Sequence, residues 1–352
     1  MNRERQEPLN PWEALKEFNK SFSTEVCLAP APMKANCSGT ISKAHTVPKS
    51  GSLQKIARNG HVYSLILSPE NLSKYGGKLH PQLIGINRAS TFTGFCTVHD
   101  NKIFSKIEKQ PFVASPEQCF LLAYRALARE LYMKKAAQAF QSNVMRQADR
   151  GKSLEQQFAI QSYNQAYEKG VSAGLSDAEY YKDKYDKVLL SQDFSSVRAY
   201  AIELKDPPPV MCSAGLLPEQ DFYGNQLQNL LDLETRPHFL SSTSFYGGQT
   251  GAIVFTWLSE SDNTCRKFID SLLSLPPHRL TDALIRFFFE FSENLHIQPD
   301  WWDNLPDSNR TELINRLSAS ANPLSPQKSG CIAEDGIHYD DWPILELKSV
   351  GF

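Results

Sequence analysis

No apolar run in the chain approaches the roughly 20 residues needed to cross a bilayer, and the opening Met1-Asn2-Arg3-Glu4-Arg5-Gln6-Glu7-Pro8 has no apolar stretch after its charges of the kind a signal peptide carries. The expectation is a soluble protein of a reducing cytoplasm, with no membrane partner. The seven cysteines are odd in number and scattered over 352 residues. That distribution excludes a dense disulfide framework and favours metal ligation or free thiols. Several familiar catalytic signatures are missing. Gly151-Lys152-Ser153 lacks the upstream glycine of a phosphate-binding loop, and there is no Gly-x-Ser-x-Gly elbow and no His-Glu-x-x-His pair. Internal repeats and coiled-coil heptads are absent too.

Charge of one sign is also scarce overall, with a formal net charge of -2, but it is unevenly placed. Between Cys27 and Lys109, 11 Lys or Arg face three acids (Glu70, Asp100 and Glu108), a local balance of +8. The rest of the chain is acidic. A basic segment on an acidic body is the electrostatic footprint of a polyanion-binding module, and nucleic acid is the expected partner. A solvated surface, a protein partner or a homo-oligomer are the alternatives.

What the basic segment does contain is soft metal ligands. Cys27, Cys37, Cys96 and His99 form two short clusters separated by a spacer rich in Gly, Pro and Ser, as the halves of a tetrahedral zinc site do. Cys96 and His99 have the two-residue spacing of a zinc knuckle, whereas nine residues separate Cys27 from Cys37. Ordinary buried thiols are the competing reading. The setting of Cys27 and Cys37 is too polar for an apolar core. A module of this composition has little apolar area of its own, so metal removal is expected to unfold the segment as a whole.

Elsewhere the text is conventional. Trp12, Leu15 and Phe18 mark an amphipathic helix over 11–22. Ser115-Pro116-Glu117-Gln118 opens a helix whose apolar stripe runs from Phe120 to Tyr132, with Cys119 in it. A second helix is read over 153–169, with Phe158, Tyr163 and Tyr167 as core, ended by Gly170 and Gly174 before a third helix at Ser176. Strands follow at 197–204, 210–216, 238–245 and 250–258, with a hairpin at Tyr246-Gly247-Gly248-Gln249, and then helices over 263–275 and 278–294. Asn59-Gly60 reads as a tight turn entering a strand at His61. Glu290, Glu293, His296, Asp300, Trp301 and Trp302 read as a helix end with aromatic packing, with a carbohydrate or metal site as the alternative.

Ala44-His45-Thr46-Val47-Pro48 and Cys96-Thr97-Val98-His99-Asp100-Asn101 together resemble the two signature elements of HNH-type nucleases, the ββα-metal class built on a treble-clef zinc fold. The resemblance covers roughly 27–110. It implies a structural zinc at Cys27, Cys37, Cys96 and His99, and a catalytic Mg or Mn ion. His45 would be the general base and Asp100 the cation ligand, with Asn101 beside it. His61, read on its own, is a half-exposed histidine of the Asn59-Gly60 turn, with a metal or phosphate contact as the alternative. The implied activity is phosphodiester hydrolysis, in the manner of a bacterial toxin or phage-defence effector. The sequence departs from the family pattern at Ala44, where the family has an acid, and at His99, where it has cysteine. A non-catalytic zinc-finger adaptor is therefore the alternative function.

The expected architecture is α+β. It comprises a docking helix within 1–26, a treble-clef-like zinc module over 27–112, a helical hairpin or bundle over 113–192, an antiparallel sheet with helices over 193–317 and a mobile or draped tail over 318–352.

Overall fold

The computed structural model describes residues 7–66, 69–232, 234–320 and 328–352. In chain order its elements are α1 (Pro11–Ser21), β1 (Ile41–His45), α2 (Gln54–Ile56), β2 (His61–Ser64), α3 (Pro69–Lys74), β3 (Gln82–Gly85), β4 (Thr91–Cys96), α4 (Thr97–Glu108), α5 (Pro116–Asn143) and α6 (Leu154–Ser191). These are followed by β5 (Val197–Leu204), β6 (Val210–Leu216), β7 (Leu240–Tyr246), β8 (Gly251–Leu258), α7 (Asp262–Leu273), α8 (Leu280–Phe291), β9 (Leu295–Ile297), α9 (Pro299–Asn304), α10 (Asp307–Ser320) and β10 (Ile344–Val350). The chain is mixed α and β with an antiparallel sheet, as the sequence implies. Among the described residues no helix is long and apolar enough to cross a membrane.

Three helix starts follow capping chemistry. Asn10 accepts from the Trp12 amide at 2.9 Å ahead of Pro11, and Ser115 accepts from the Gln118 amide at 3.2 Å ahead of Pro116. Ser153 and Gln156 close a reciprocal capping box at the start of α6. The predicted break at Gly170 and Gly174 does not occur, because α6 runs unbroken over 38 residues, Leu154–Ser191. Each helical glycine costs about 1 kcal/mol, which the burial of Leu175, Ala178, Tyr181, Tyr185 and Leu189 against α5 outweighs. The helix ends at Gln192, which takes the left-handed conformation with φ 56°.

The first half of α6 corrects a second expectation. Phe158 is 78% exposed and Tyr163 is also exposed. This half is tied to the far end of α5 by polar contacts instead, with Asn164 bonded to Met145 O and Gln141.

Eight strands form one sheet in the order β10-β5-β8-β7-β6-β9-β2-β3, every neighbouring pair antiparallel, and β1 with β4 forms a separate two-stranded ribbon. The hairpin read at Tyr246 is present, with Tyr246 paired to Gly251. One sheet face carries Ile202, Phe255 and Leu240 against Phe268, Phe287 and Phe288 of α7 and α8. The opposite face, with Ala199, Ala201 and Val254, is covered by Cys119 and Leu122 of α5. The result is a sheet sandwiched between helical layers.

Two segments cross the divisions drawn from composition. β2 and β3 come from 27–112 yet extend the large sheet beyond β9. β10 comes from the expected tail and pairs with β5 over Ile344–Val350, so this part of the tail is sheet. Residues 321–327 lie outside the described residues.

Candidate metal centre

The four sulfur and nitrogen ligands reach one point by three local devices. Cys27 is held beside β4 because Val26 donates its amide to Thr93 O at 3.1 Å and Leu28 donates to Gly94 O at 2.9 Å. Cys37 follows a 3₁₀ turn, Ala31–Asn36, whose last bond runs from the Cys37 amide to Lys34 O at 3.1 Å. Cys96 ends β4 and is the N-cap of α4, so His99 stands in the first helical turn directly above it.

All four ligand atoms lie within 4.8 Å of one another. His99 Nδ1 is 3.4 Å from Cys27 Sγ, 3.5 Å from Cys37 Sγ and 3.2 Å from Cys96 Sγ. A tetrahedron with metal–sulfur bonds of about 2.3 Å and metal–nitrogen bonds of about 2.0–2.1 Å has S···N edges of about 3.6 Å. The donors are therefore spaced to hold a metal ion.

The electrostatics favour thiolate at one corner. Burial works against the Cys96 thiolate, but the amides of His99 and Ser38 and the Ser38 hydroxyl outweigh it, and its pKa falls to about 6. Cys37 moves the other way, to about 11, through loss of solvation and the neighbouring Cys27 and Cys96 thiols. Ligation requires deprotonation, so such a site takes up metal with release of protons. By contrast Cys119 and Cys212 are fully buried, and burial pushes each thiol up to about 12. They are packing residues, as the apolar stripe around Cys119 implies.

Beside this centre, β1 and β4 pair with Ile41 opposite Cys96 and His45 opposite Thr91, and α4 follows directly. His45 Nε2 lies 3.2 Å from Ile86 O, an arrangement that makes Nε2–H the donor and leaves Nδ1 as acceptor. Burial lowers its pKa and keeps the ring neutral.

Asp100, on α4, accepts from the Ser42 hydroxyl at 2.8 Å. Its other oxygen, buried and without a hydrogen bond, is 3.7 Å from the Arg125 guanidinium. Burial raises the Asp100 pKa against the opposing pull of Arg125. Arg125 is only 1% exposed. It binds Glu108 at 2.6 Å and His45 O at 2.9 Å, and its guanidinium lies 3.9 Å from the centre of the Phe104 ring.

Asn101 points to the surface of α4, its amide donating to Thr97 O at 2.9 Å. His61 is exposed at the start of β2 in the other sheet, outside the Cys/His cluster, with Nδ1 bonded to Asn59 O at 2.8 Å. Asn59 and Gly60 have φ of 51° and 73°, so the Asn-Gly turn read from the sequence is present.

Sequence reasoning missed Arg125 and Glu108. The signal was available, since a lone arginine interrupts the apolar run from Cys119 to Ala128 and a charge inside such a run needs a partner.

It also missed a buried polar chain joining the two sheets. Ser64 Oγ is 2.6 Å from His296 Nδ1, and His296 Nε2 is 3.2 Å from Asn294 Oδ1. Asn294 donates to Thr46 Oγ1 at 2.6 Å, and Thr46 bonds Ser90 at 2.6 Å. The late residues grouped with His296 in the sequence disperse into packing and pairing. Asp300 binds Arg58, Trp301 donates to Asp340, and Trp302 stacks on Phe289.

Compared with family models, curated proteins and solved structures, the chain matches none.

Proposed function

We propose that β1, β4 and α4 form a treble-clef-like module stapled by one structural zinc ion, and that the module is a non-catalytic adaptor for nucleic acid. The observation that carries the non-catalytic reading is the placement of Arg125. Its buried guanidinium already neutralises Glu108 and faces the free oxygen of Asp100. A divalent cation on Asp100 would meet that charge at close range. Two unit charges 4 Å apart repel by about 4 kcal/mol at an effective dielectric of 20.

Nucleic acid is favoured by charge. Lys34, Lys43 and Lys102, from the turn before Cys37, from β1 and from α4, are all exposed around the metal centre. They suit phosphate contacts, which supply most non-specific affinity. A second reading, metal-dependent phosphodiester hydrolysis, draws on one observation, the neutral His45 ring with Nδ1 left as acceptor.

The test is binding of labelled duplex and single strands between about 50 and 200 mM salt, where phosphate contacts weaken steeply. Replacing Lys34, Lys43 and Lys102 by Gln should flatten the salt slope, and no strand should be cut in Mg²⁺, Mn²⁺ or Zn²⁺. Cleavage abolished by His45→Ala would establish the second reading instead. Absence of binding at the lowest salt would overturn the nucleic-acid partner.

A further inference from the structure

β10 is an outer strand of the eight-stranded sheet. Among the described residues it pairs with β5 alone, so its other edge presents backbone donors and acceptors over Ile344–Val350. Such an edge is normally blunted. Here the bulge at Ile344/Glu346 and the charges of Glu346 and Lys348 do part of that, yet Leu345 and Leu347 are left exposed.

The charges carry a more specific message. Glu346 lies directly opposite Glu203 across β5 and β10, a like-charge pair of a kind that destabilises a sheet. One lysine serves both carboxylates, with Lys348 Nζ 2.6 Å from Glu203 and 3.2 Å from Glu346.

We infer that β10 pairs antiparallel with β10 of a second copy of this chain, about a two-fold axis through Leu347, making one continuous sheet. In that register Glu346 stands opposite Lys348 of the second copy, and Lys348 opposite its Glu346. Each carboxylate pair thereby gains a second cation, where among the described residues Lys348 is the one ion-pair partner it has within a single chain. Leu347 covers its own counterpart on the other face.

The strand Ile344-Leu345-Glu346-Leu347-Lys348-Ser349-Val350 is self-complementary only when reversed, which is what a two-fold axis does. The contact closes on itself, whereas β10 against the four-residue edge strand β3 would be head-to-tail and open-ended. This inference is independent of what the metal centre does.

The test uses the full, metal-loaded chain with its native cysteines, and the unsubstituted chain as the background for exposed Cys37. Under mild oxidant, Leu347→Cys should cross-link at least tenfold faster than Glu346→Cys or Lys348→Cys alone. A mixture of the last two variants should cross-link as readily as Leu347→Cys.

Sedimentation should show a two-chain species. Glu346→Lys should raise its dissociation constant at least tenfold without lowering the melting temperature of the single chain, because that variant keeps the Lys348–Glu203 pair and removes the like-charge contact. A single chain at every concentration, with Leu347→Cys cross-linking at background, would overturn the inference. So would an open-ended series of oligomers, the signature of β10 against β3.

Discussion

The guanidinium of Arg125 lies 3.7 Å from the Asp100 carboxylate inside the protein, beside the strand that carries His45. Arg125 thus ties α5 to α4 and β1 by charge, while Phe104 of α4 packs against the same guanidinium.

Arg125→Ala should therefore destabilise the chain by about 3–5 kcal/mol, the range for breaking a buried ion pair and leaving its carboxylates uncompensated. Arg125→Lys should recover part of that, since an ammonium replaces the charge but not the forked contact to Glu108 and His45 O. Urea unfolding at neutral pH reads both. A loss below about 1 kcal/mol for the alanine variant would show that the pairing contributes little.

His296 predicts a pH dependence with a definite sign. It is fully buried and bonded to Ser64 and Asn294, and burial lowers its pKa to about 3. A histidine depressed in the fold contributes stability above its unfolded pKa of about 6.5, and that stability drains away as pH falls towards the folded value. Between pH 7 and pH 5 this one group should remove about 2 kcal/mol. Denaturant midpoints at the two pH values measure the loss, and His296→Gln should shrink it.

Metal removal should loosen a smaller region than composition suggests. β2 and β3 are built into the large sheet, and Phe92, Phe95 and Phe104 pack with Phe120 and Tyr124 of α5. Hydrogen exchange after chelation should show lost protection from about Val26 to His45, the stretch anchored by Cys27 and Cys37, with β2 and β5 to β8 still protected. Uniform loss across 27–110 would mean that the metal supports the whole segment.

The elements legible in advance were those with their own local signal. Capped helices at Asn10, Ser115 and Ser153, strands bounded by Pro and Gly, and the Asn59-Gly60 turn all lie where sequence chemistry places them, and the Cys27, Cys37, Cys96 and His99 donors meet at one point. The misreadings share a cause, which is long-range packing. Gly170 and Gly174 end a helix only when nothing buries its continuation, and α5 does. Phe158 looks like core only if a partner covers it. The pairing of β10 with β5 joins residues 151 positions apart, at Val350 and Ala199. No periodicity within either strand names its partner.

Elemental analysis of the chain, purified under reducing conditions without chelator, decides whether Cys27, Cys37, Cys96 and His99 hold a structural zinc ion. One zinc per chain is expected, lost in Cys96→Ser and kept in Cys119→Ser, since the Cys119 thiol is buried in α5 outside the cluster. A chain that is folded through residues 27–108 and carries no zinc would contradict the zinc assignment.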